Sequence, residues 1–382
     1  MKKIMFFIRS FPLGGAEKLL LDIVKRLDKD EFDITVYSRW SDGEYADEFK
    51  KRVKCKTCFS HLRPGKNIVH KLYNFLVINL TEKLMNTFPG FYYRNAIKER
   101  FDIEVAFKND ESTKIIAASS NKRSKKIQWM HTDVSRHEGW RLYFKSQKER
   151  SRYLKKYDRV ICVSKLVEDS IKKTMPDVHN PQVIYNLIDR SDIINRSKDK
   201  ISTSFIKKYI PVIVSVGRME FEKRYDLLIK IHKRLIDENV QHYLVLVGAG
   251  RMTEELKNMT KEYGVEDSVI FTGYTDNPYP YLKLSDFSVC ASLYEGFHLV
   301  SAESLVLGKP VISCCPVVGE LMGEEQCGIL CGYSENELYD AIRTALVRKD
   351  LLDSMTAAAQ KRSGFFNEEQ VIKRIEKMFM EV

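Results

Sequence analysis

The stretch SDFSVCASLYEGFHLVSAESLVLGKPVI, residues 285–312, decides the class of fold. An apolar run at Phe287–Ala291 is followed by a loop, by a segment of helical period at Leu299–Leu307, and by a second apolar run that begins at Val311. Parallel strands need a crossover of a dozen or more residues, which is usually a helix. The stretch therefore predicts one β-α-β unit of a parallel sheet.

The same alternation of apolar runs and amphipathic helices extends in both directions from this unit. Continuous apolar runs are typical of strands that a parallel sheet buries on both faces. The predicted strands are Lys3–Ile8, Ile34–Ser38, Ile103–Phe107, Ile127–Met130, Val160–Val163, Val183–Tyr185, Val212–Val216, Tyr243–Val247, Val269–Thr272, Phe287–Ala291 and Val311–Ser313. We therefore expect an α/β protein with two facing Rossmann-like domains, each with a mostly parallel sheet covered by helices.

The domain boundaries follow from composition. Residues 1–190 are the predicted N-terminal domain, the polar segment 191–205 is the predicted linker, and residues 206–364 are the predicted C-terminal domain. Residues 365–382 are predicted to form a C-terminal helix that crosses back to the N-terminal domain. Because ligands of doubly wound sheets bind beyond the carboxyl ends of the strands, we expect the site in a cleft between the two domains.

The positive charge lies in the first half of the chain. Residues 1–190 hold 39 Lys and Arg against 24 Asp and Glu, a net charge of +15, whereas residues 191–382 hold 24 against 28, a net charge of −4. Such an excess suits nucleic acid, an anionic membrane or a phosphorylated substrate. The basic half lacks an RNP-like aromatic motif, so we expect no nucleic acid as a partner.

A basic, aromatic segment interrupts the rhythm at residues 62–100, where seven Lys and Arg stand against two Glu. Two interpretations stay open: helices that pack on the N-terminal sheet or line an acceptor groove, and an amphipathic surface that lies on a bilayer. No stretch approaches 18 apolar residues, and the N-terminal run IMFFI is too short for a signal peptide. We therefore expect a cytoplasmic protein, with peripheral contact with the anionic inner face of the plasma membrane left open.

The eight cysteines do not have the spacing of a zinc site. Cys55 and Cys58 form one CxxC, and no second CxxC follows at a zinc-ribbon interval. We expect neither a metal nor another cofactor.

Two cations and one helix start suit a diphosphate. Arg218 directly follows a predicted strand and Lys223 begins the next helix, so a planar fork and a point charge meet at one strand end. Two unrelated surface cations would give the same pattern. The amide groups of Leu299 and Val300 begin the helix after the Gly-Phe-His turn, where the helix dipole favours an anion.

Two glutamates flank that helix start. Glu295 precedes it and Glu303 lies inside its first turns, and both carboxylates would repel a phosphate. Each carboxylate can instead accept two hydrogen bonds from vicinal sugar hydroxyls. The pattern therefore favours a ligand with a sugar, a diphosphate and a ribose, which is a nucleotide sugar. A capping glutamate beside a solvent-facing one is the alternative interpretation.

Further candidates follow other strands. Gly14 and Gly15 separate the first strand from its helix, so that a phosphate or sugar can approach the backbone, and His131 directly follows a strand. The stretch LVLVGAG lacks the third glycine of a dinucleotide-binding fingerprint, which disfavours a hydride-transfer enzyme.

Together these stretches resemble the retaining glycosyltransferases of family four, which have the GT-B fold and build bacterial cell-surface glycans. The resemblance covers most of the chain in order and includes GGAEKLLLDIV, DRVICVSK, VIYNLID, VGRMEFEK and the opening stretch with its two glutamates. Three positions depart from the family pattern: His298 and Arg224 replace usual glycines, and NLID replaces an Asn-Gly-hydrophobic-Asp motif.

The resemblance implies that residues 1–190 bind the acceptor and that residues 206–364 bind the nucleotide sugar. It also implies a role for each candidate residue. Arg218 and Lys223 would bind the donor diphosphate, and Glu303 would hold the ribose hydroxyls. Glu295 would lie beside the transferred sugar, which His298 would also contact. The remaining implied contacts are the amides of Leu299 and Val300 with phosphate, Gly15 with the donor, the backbone of Tyr274 with the base, and His131 with the sugar and acceptor.

The implied activity is a hexosyl transfer that retains anomeric configuration. It would move a sugar from a nucleotide sugar, with UDP expected from family habit, to a glycan or lipid-linked acceptor in cell-envelope or extracellular polysaccharide synthesis. One alternative is a non-catalytic subunit or chaperone of another transferase, which the presence of both glutamates and both cations disfavours. The other is a sugar-nucleotide epimerase, whose cluster of acid and base groups is not found in these motifs.

Overall fold

The computed structural model of the protein describes residues 1–59, 68–136, 138–202, 207 and 209–382. The chain divides into two units. Met1–Leu187 and Glu369–Val382 form the N-terminal unit, and Ile188–Glu368 forms the C-terminal unit.

The N-terminal unit is built on a parallel sheet of seven strands in the order β3-β2-β1-β4-β5-β6-β7. Its strands are β1 (Lys2–Ile8), β2 (Phe32–Trp40), β3 (Lys54–Phe59), β4 (Ile103–Ala106), β5 (Lys125–Met130), β6 (Arg159–Cys162) and β7 (Pro181–Val183). The central strand β1 is buried from Ile4 to Ile8, which is why its apolar residues run without alternation.

Helices cover this sheet. They are α1 (Gly15–Arg26), α2 (Ala46–Arg52), α3 (Ile68–Thr87), α4 (Pro89–Ala96), α5 (Glu111–Ala117), α6 (Gln147–Leu154) and α7 (Lys165–Thr174), with a 3₁₀ helix at Glu138–Leu142. The predicted insertion, residues 62–100, contains α3 and α4, while its residues 62–67 lie outside the described part. Met85, Tyr92 and Tyr93 are buried, so these two helices pack on the unit through part of their surface.

The C-terminal unit is built on a second parallel sheet, in the order β10-β9-β8-β11-β12-β13. Its strands are β8 (Val212–Val216), β9 (Tyr243–Val247), β10 (Val269–Gly273), β11 (Phe287–Cys290), β12 (Val311–Ser313) and β13 (Gly328–Leu330). The predicted α/β fold with two parallel sheets is confirmed.

The helices of the C-terminal unit are α8 (Arg190–Arg196), α9 (Tyr225–Asp237), α10 (Thr253–Glu262), α11 (Tyr279–Leu284), α12 (Leu299–Val306), α13 (Pro316–Met322), α14 (Glu335–Val347) and α15 (Lys349–Arg362). Two 3₁₀ helices lie at Phe221–Lys223 and Ser363–Phe365. The amphipathic helix α9 buries Leu227, Leu228 and Ile231 against the sheet, as its period predicts.

The segment predicted as a linker, 191–205, differs from that expectation where it is described. The Asp189 side chain accepts a hydrogen bond from the amide of Asp192 and caps α8, and Ile193 of this helix is buried. Helix α8 packs on α11 and α12. Residues 203–205 lie outside the described part.

The last helix, α16 (Glu368–Glu381), belongs to the N-terminal unit for nearly its whole length. The Phe379 ring is fully buried, 6.0 Å from the ring centroids of both Phe6 and Phe32. The Lys2 ammonium donates to the carbonyl of Phe379 at 2.9 Å. The first strand of the chain and its last helix therefore share one core.

Candidate active site

The site predicted in the C-terminal unit begins where β8 and β11 end. These two strands are neighbours in the sheet, so the loops after them lie side by side. The amide of Leu293 donates to the carbonyl of Glu222 at 2.9 Å and ties the loop after β11 to the 3₁₀ helix after β8. Two motifs that are distant in the sequence thereby form one surface.

Lys223 and Glu295 meet on this surface. Nζ of Lys223 lies 2.5 Å from Oε1 of Glu295, and both side chains are less than a fifth exposed. Burial opposes the charge on Lys223, but the Glu295 carboxylate outweighs it and raises the pKa of the ammonium. Burial also opposes the charge on Glu295, but Lys223 and then His298 lower the pKa of this carboxyl below its usual value. Both groups are therefore charged at neutral pH.

Arg218 extends into solvent beside this pair. Its guanidinium lies 3.8 Å from Oε1 of Glu222, and its side chain is 69% exposed. Arg218 is separated from β8 by Gly217 alone, so it lies at the strand end where the sequence predicts it. The structure thus brings an exposed cation, Arg218, and a largely buried one, Lys223, to the same strand end.

The backbone between these cations and α9 adopts an uncommon conformation. Arg224 has φ 54° and ψ 43°, in the left-handed region that glycine enters most readily. Its guanidinium donates to the carbonyl of Tyr333 at 3.0 Å. The requirement for this conformation explains why glycine is usual at this position of the family pattern.

The start of α12 is held by His298, another departure from the family pattern. Nδ1 of His298 accepts a hydrogen bond from the amide of Ser301 at 3.1 Å and so acts as the N-cap of the helix. Nε2 of the same ring lies 3.9 Å from Oε1 of Glu295. Leu299 and Val300 occupy the first turn, where amide groups have no acceptor within the helix. His298 therefore orients the amides that the sequence predicts as a phosphate site.

Glu303 lies deeper in α12. Its residue is 6% exposed, and its carboxylate accepts a hydrogen bond from the Tyr279 hydroxyl at 3.3 Å. Tyr279 belongs to α11, and its ring lies 5.4 Å from the guanidinium of Arg196 in α8. Glu303, the residue predicted to bind the ribose, thus lies where α12, α11 and α8 meet. Tyr274 directly follows β10, two strands from β8, and is largely exposed.

In the N-terminal unit, Gly15 is the first residue of α1 and His131 directly follows β5. The His131 ring is hydrogen-bonded to the backbone of Phe107, and its buried Nε2 has no hydrogen-bond partner among the described residues. Burial, and then the Lys108 cation, lower the pKa of His131 to about 3. The imidazole is therefore neutral at pH 7, and its Nε2 is a buried acceptor that has no partner among the described residues.

A buried ionic cluster in the N-terminal unit escaped the sequence analysis. Arg39 in β2 is fully buried, and its Nη1 lies 3.2 Å from Oε1 of Glu111, at the start of α5. Nε of Arg9 approaches the same oxygen at 3.6 Å. Burial and the neighbouring Asp110 raise the pKa of Glu111 to about 7, against the opposing effect of the two arginines. A charged residue inside the apolar run of β2 is the signal that could have revealed this cluster.

No group of three His, Cys, Asp or Glu side chains is arranged to hold a metal ion in the described part of the chain. The eight cysteines are all free thiols. No helix among the described residues is long and apolar enough to cross a membrane.

Comparison with sequence families gives two adjoining matches. The family described as Glycosyltransferase Family 4 matches residues 13–192, and the family described as Glycosyl transferases group 1 matches residues 197–362. Together they cover most of both units.

Individual proteins agree with these matches. The N-acetylgalactosamine-N,N'-diacetylbacillosaminyl-diphospho-undecaprenol 4-alpha-N-acetylgalactosaminyltransferase of Campylobacter jejuni is 29% identical over 54% of this chain and 55% of its own length. The match thus spans about half of that relative. An uncharacterized glycosyltransferase of Haemophilus influenzae is 24% identical over 98% of both chains.

Among solved structures, HepE of Anabaena in complex with UDP and glucose has a TM-score of 0.75 at 20% identity, and the match covers 100% of both chains. At this identity the likeness concerns the fold. The two families, the named relatives and this architecture lead to one conclusion: the chain belongs to the family 4 glycosyltransferases, has the GT-B fold and is a transferase.

Proposed function

We propose that this glycosyltransferase moves a hexosyl group from a UDP-sugar to a glycan or lipid-linked acceptor, with retention of anomeric configuration. The reaction would serve the synthesis of a cell-envelope or extracellular polysaccharide. One observation carries the proposal: the Lys223–Glu295 ion pair lies beside the capped start of α12. A cation, a carboxylate and a set of amide donors thus occupy one strand end.

These groups suit the two halves of a nucleotide sugar. Lys223, Arg218 and the amides of Leu299 and Val300 are donors for a diphosphate. The carboxylates of Glu295 and Glu303 are acceptors for the hydroxyls of the sugar and of the ribose. The cations and amides can donate hydrogen bonds to phosphate oxygens, and the carboxylates can accept them from hydroxyls.

In the proposed reaction, the bond between the anomeric carbon and the β-phosphate oxygen breaks. The acceptor hydroxyl oxygen bonds to the same face of that carbon, and its proton passes to the departing phosphate oxygen. Lys223 and the amides at the start of α12 stabilise the charge that develops on the diphosphate. One such donor contributes about 3–4 kcal/mol to transition-state stabilisation. Because these groups supply positive charge, the proposal needs no metal ion.

His131 has a separate proposed role. Nε2 of the neutral imidazole is buried and has no partner among the described residues, so it can accept a hydrogen bond from a hydroxyl of the sugar or the acceptor once ligand binding exposes it. Its low pKa keeps it neutral throughout the physiological range, so we propose that it positions this hydroxyl without becoming charged.

The choice of UDP is supported by the UDP bound in HepE. The choice of acceptor is supported by the Campylobacter relative, whose name specifies a diphospho-undecaprenol glycan. The excess of Lys and Arg in the N-terminal half suits an acceptor that carries phosphate.

Thermal unfolding in the presence of UDP, GDP and ADP sugars tests the donor. A ligand at about 100 times its Kd stabilises the folded protein by about 2.7 kcal/mol, so the UDP-sugar is expected to raise the Tm most. Lys223→Ala is expected to remove this shift. The variant is also expected to have a lower Tm without ligand, because Glu295 loses its partner, so the shift is measured against the unliganded variant. Wild-type protein that no nucleotide sugar stabilises would refute the donor site.

The stereochemistry and the non-catalytic alternative need a second measurement. NMR of the first product formed from an α-linked donor is expected to show an α linkage. A β linkage would exclude retention. A protein that binds UDP-sugar but transfers sugar to no glycan or lipid-linked acceptor, and none to water, would instead favour a non-catalytic subunit.

A further inference from the structure

Helices α3 and α4 expose an apolar surface that soluble proteins seldom show. Seven large apolar side chains within residues 69–91 are between 56% and 70% exposed. We call these residues the α3–α4 apolar surface; they are Val69, Leu72, Phe75, Leu76, Leu80, Phe88 and Phe91. They make up seven of the sixteen exposed large apolar side chains in the described part of the chain, so the exposure is concentrated rather than scattered.

The orientation of α3 is set by its opposite face. The Thr81 hydroxyl accepts a hydrogen bond at 2.9 Å from the buried Arg39 guanidinium, and Met85 is 1% exposed. Leu72 precedes Thr81 by nine positions, and Leu76 precedes Met85 by nine. Nine residues at 3.6 per turn make two and a half turns, so each apolar residue points away from its buried counterpart. The α3 part of the α3–α4 apolar surface therefore faces outward, because the opposite face of α3 packs on the unit through Thr81 and Met85.

Cations border this surface. Lys83 lies three residues after Leu80 on the same side of α3, and its side chain is exposed. Arg94 and Lys98 are also exposed and follow Phe91 closely. The acidic neighbour Glu82 is paired with Arg9 at 3.2 Å, so it offsets little of this positive charge.

The adjoining helix layer adds further cations. Helix α5 contacts α3, α4 and α6, which places these four helices in one layer on the sheet. In and directly after α6, the side chains of Lys148, Arg152 and Lys156 are exposed, whereas the exposed Lys155 is paired with Asp177 at 2.9 Å. Unlike a typical surface helix, α3 is thus apolar on its exposed side, and the layer around it is basic.

We propose that the α3–α4 apolar surface docks the N-terminal unit on an anionic lipid bilayer, with α3 lying in the plane of the interface. Apolar side chains enter the boundary of the acyl chains while lysine and arginine contact anionic headgroups, which is how interfacial amphipathic helices bind. A symmetric contact with a second copy is less favourable, because it would bring identical cations of the two copies together. The proposal concerns binding alone and does not depend on sugar transfer.

Sedimentation of the full-length protein with vesicles tests the proposal. Vesicles of phosphatidylglycerol and phosphatidylcholine are expected to bind the protein at low salt, and phosphatidylcholine alone is expected to bind at least tenfold more weakly. The double variant Leu72→Gln/Leu76→Gln is expected to bind the anionic vesicles at least tenfold more weakly than wild type. The control Val347→Gln/Met380→Gln changes two exposed apolar residues elsewhere and is expected to bind as wild type does.

Three results would overturn the proposal. They are the absence of binding to anionic vesicles at low salt, equal binding by the Leu72/Leu76 variant, and self-association of wild type without lipid that this variant abolishes. The third result would identify the surface as an interface between copies. All four residues are exposed, so the circular dichroism spectrum and the Tm of both variants are expected to match wild type, which excludes misfolding as the cause of lost binding.

Discussion

Nζ of Lys223 lies 2.5 Å from Oε1 of Glu295, although the two residues are 72 positions apart in the chain. The pair joins the two motifs that the sequence assigns to different parts of the donor. It means that the cation proposed for the diphosphate is held in place by the carboxylate proposed for the sugar. Loss of either partner leaves the other charge largely buried and uncompensated.

Lys223→Ala is expected to lower kcat by about 10²- to 10³-fold, since one donor to a developing oxyanion contributes about 3–4 kcal/mol. Steady-state rates with a saturating UDP-sugar would measure this loss. Lys230→Ala, at an exposed position of α9, is the matched control and should retain the wild-type rate. Normal turnover by the Lys223 variant would show that this lysine does not stabilise the departing diphosphate.

Glu303→Gln is expected to raise the KM for the donor by 10-fold or more. A hydrogen bond to a charged acceptor contributes about 1.5–3 kcal/mol, and the amide that replaces the carboxylate has one acceptor oxygen instead of two. The Tyr279 hydroxyl can still donate to that oxygen, so the fold is expected to persist. Glu262→Gln, on the exposed side of α10, serves as control. An unchanged KM in the Glu303 variant would argue that this carboxylate is structural.

His131 makes stability depend on pH in a defined direction. Its pKa is about 3 in the folded protein, whereas an unfolded histidine titrates near 6.5. As the pH falls from 6.5 towards 3, the unfolded chain takes up a proton that the folded chain does not, so the free energy of unfolding falls. The slope from this group approaches about 1.4 kcal/mol per pH unit.

Urea unfolding between pH 7 and pH 4.5 would measure that dependence. His131→Asn is expected to flatten the slope, because the variant has no group to titrate at this position. If the His131 variant and wild type lose stability in parallel, the imidazole is not buried in its neutral form.

Arg224 offers a test of backbone strain. A residue with a side chain in the left-handed region costs about 1–2 kcal/mol relative to its usual conformation, and glycine avoids this cost. Arg224→Gly and Arg224→Ala both lose the hydrogen bond to Tyr333. The difference between their free energies of unfolding therefore measures the cost of the backbone conformation. The glycine variant is expected to be the more stable by about 1 kcal/mol in urea unfolding. If the alanine variant is the more stable, the backbone at position 224 leaves the left-handed region in that variant.

The buried strands could be predicted because their apolar runs are long and uninterrupted. For β8, β9 and β12 the predicted bounds are those of the structure. The strands that escaped prediction, β3 and β13, each lie at one of the two edges of their sheet. The sequence KCKTCF of β3 contains no apolar run longer than two residues, and β13 has only three residues. An edge strand pairs on one side only, so its sequence carries a weaker signal.

The site was predictable in its positions and not in its contacts. The residue types and spacing of Lys223, Glu295 and His298 were visible, because they follow strand ends in a parallel sheet. Their mutual contacts depend on the neighbouring order of β8 and β11, which no local pattern specifies. The same limit applied to the pair of Arg39 and Glu111. Arg39 lies in β2 and Glu111 begins α5, which follows β4, so their contact depends on the order of the strands in the sheet.

The burial of Phe379 between Phe6 and Phe32 bears on how the protein is made. Helix α16 follows the entire C-terminal unit in the chain, so a ribosome must finish that unit before it can deliver the last aromatic ring of the N-terminal core. Until then the face of β1 and β2 that Phe379 covers lacks this ring. The N-terminal unit is synthesised first, yet its core is complete only after the whole C-terminal unit has been synthesised.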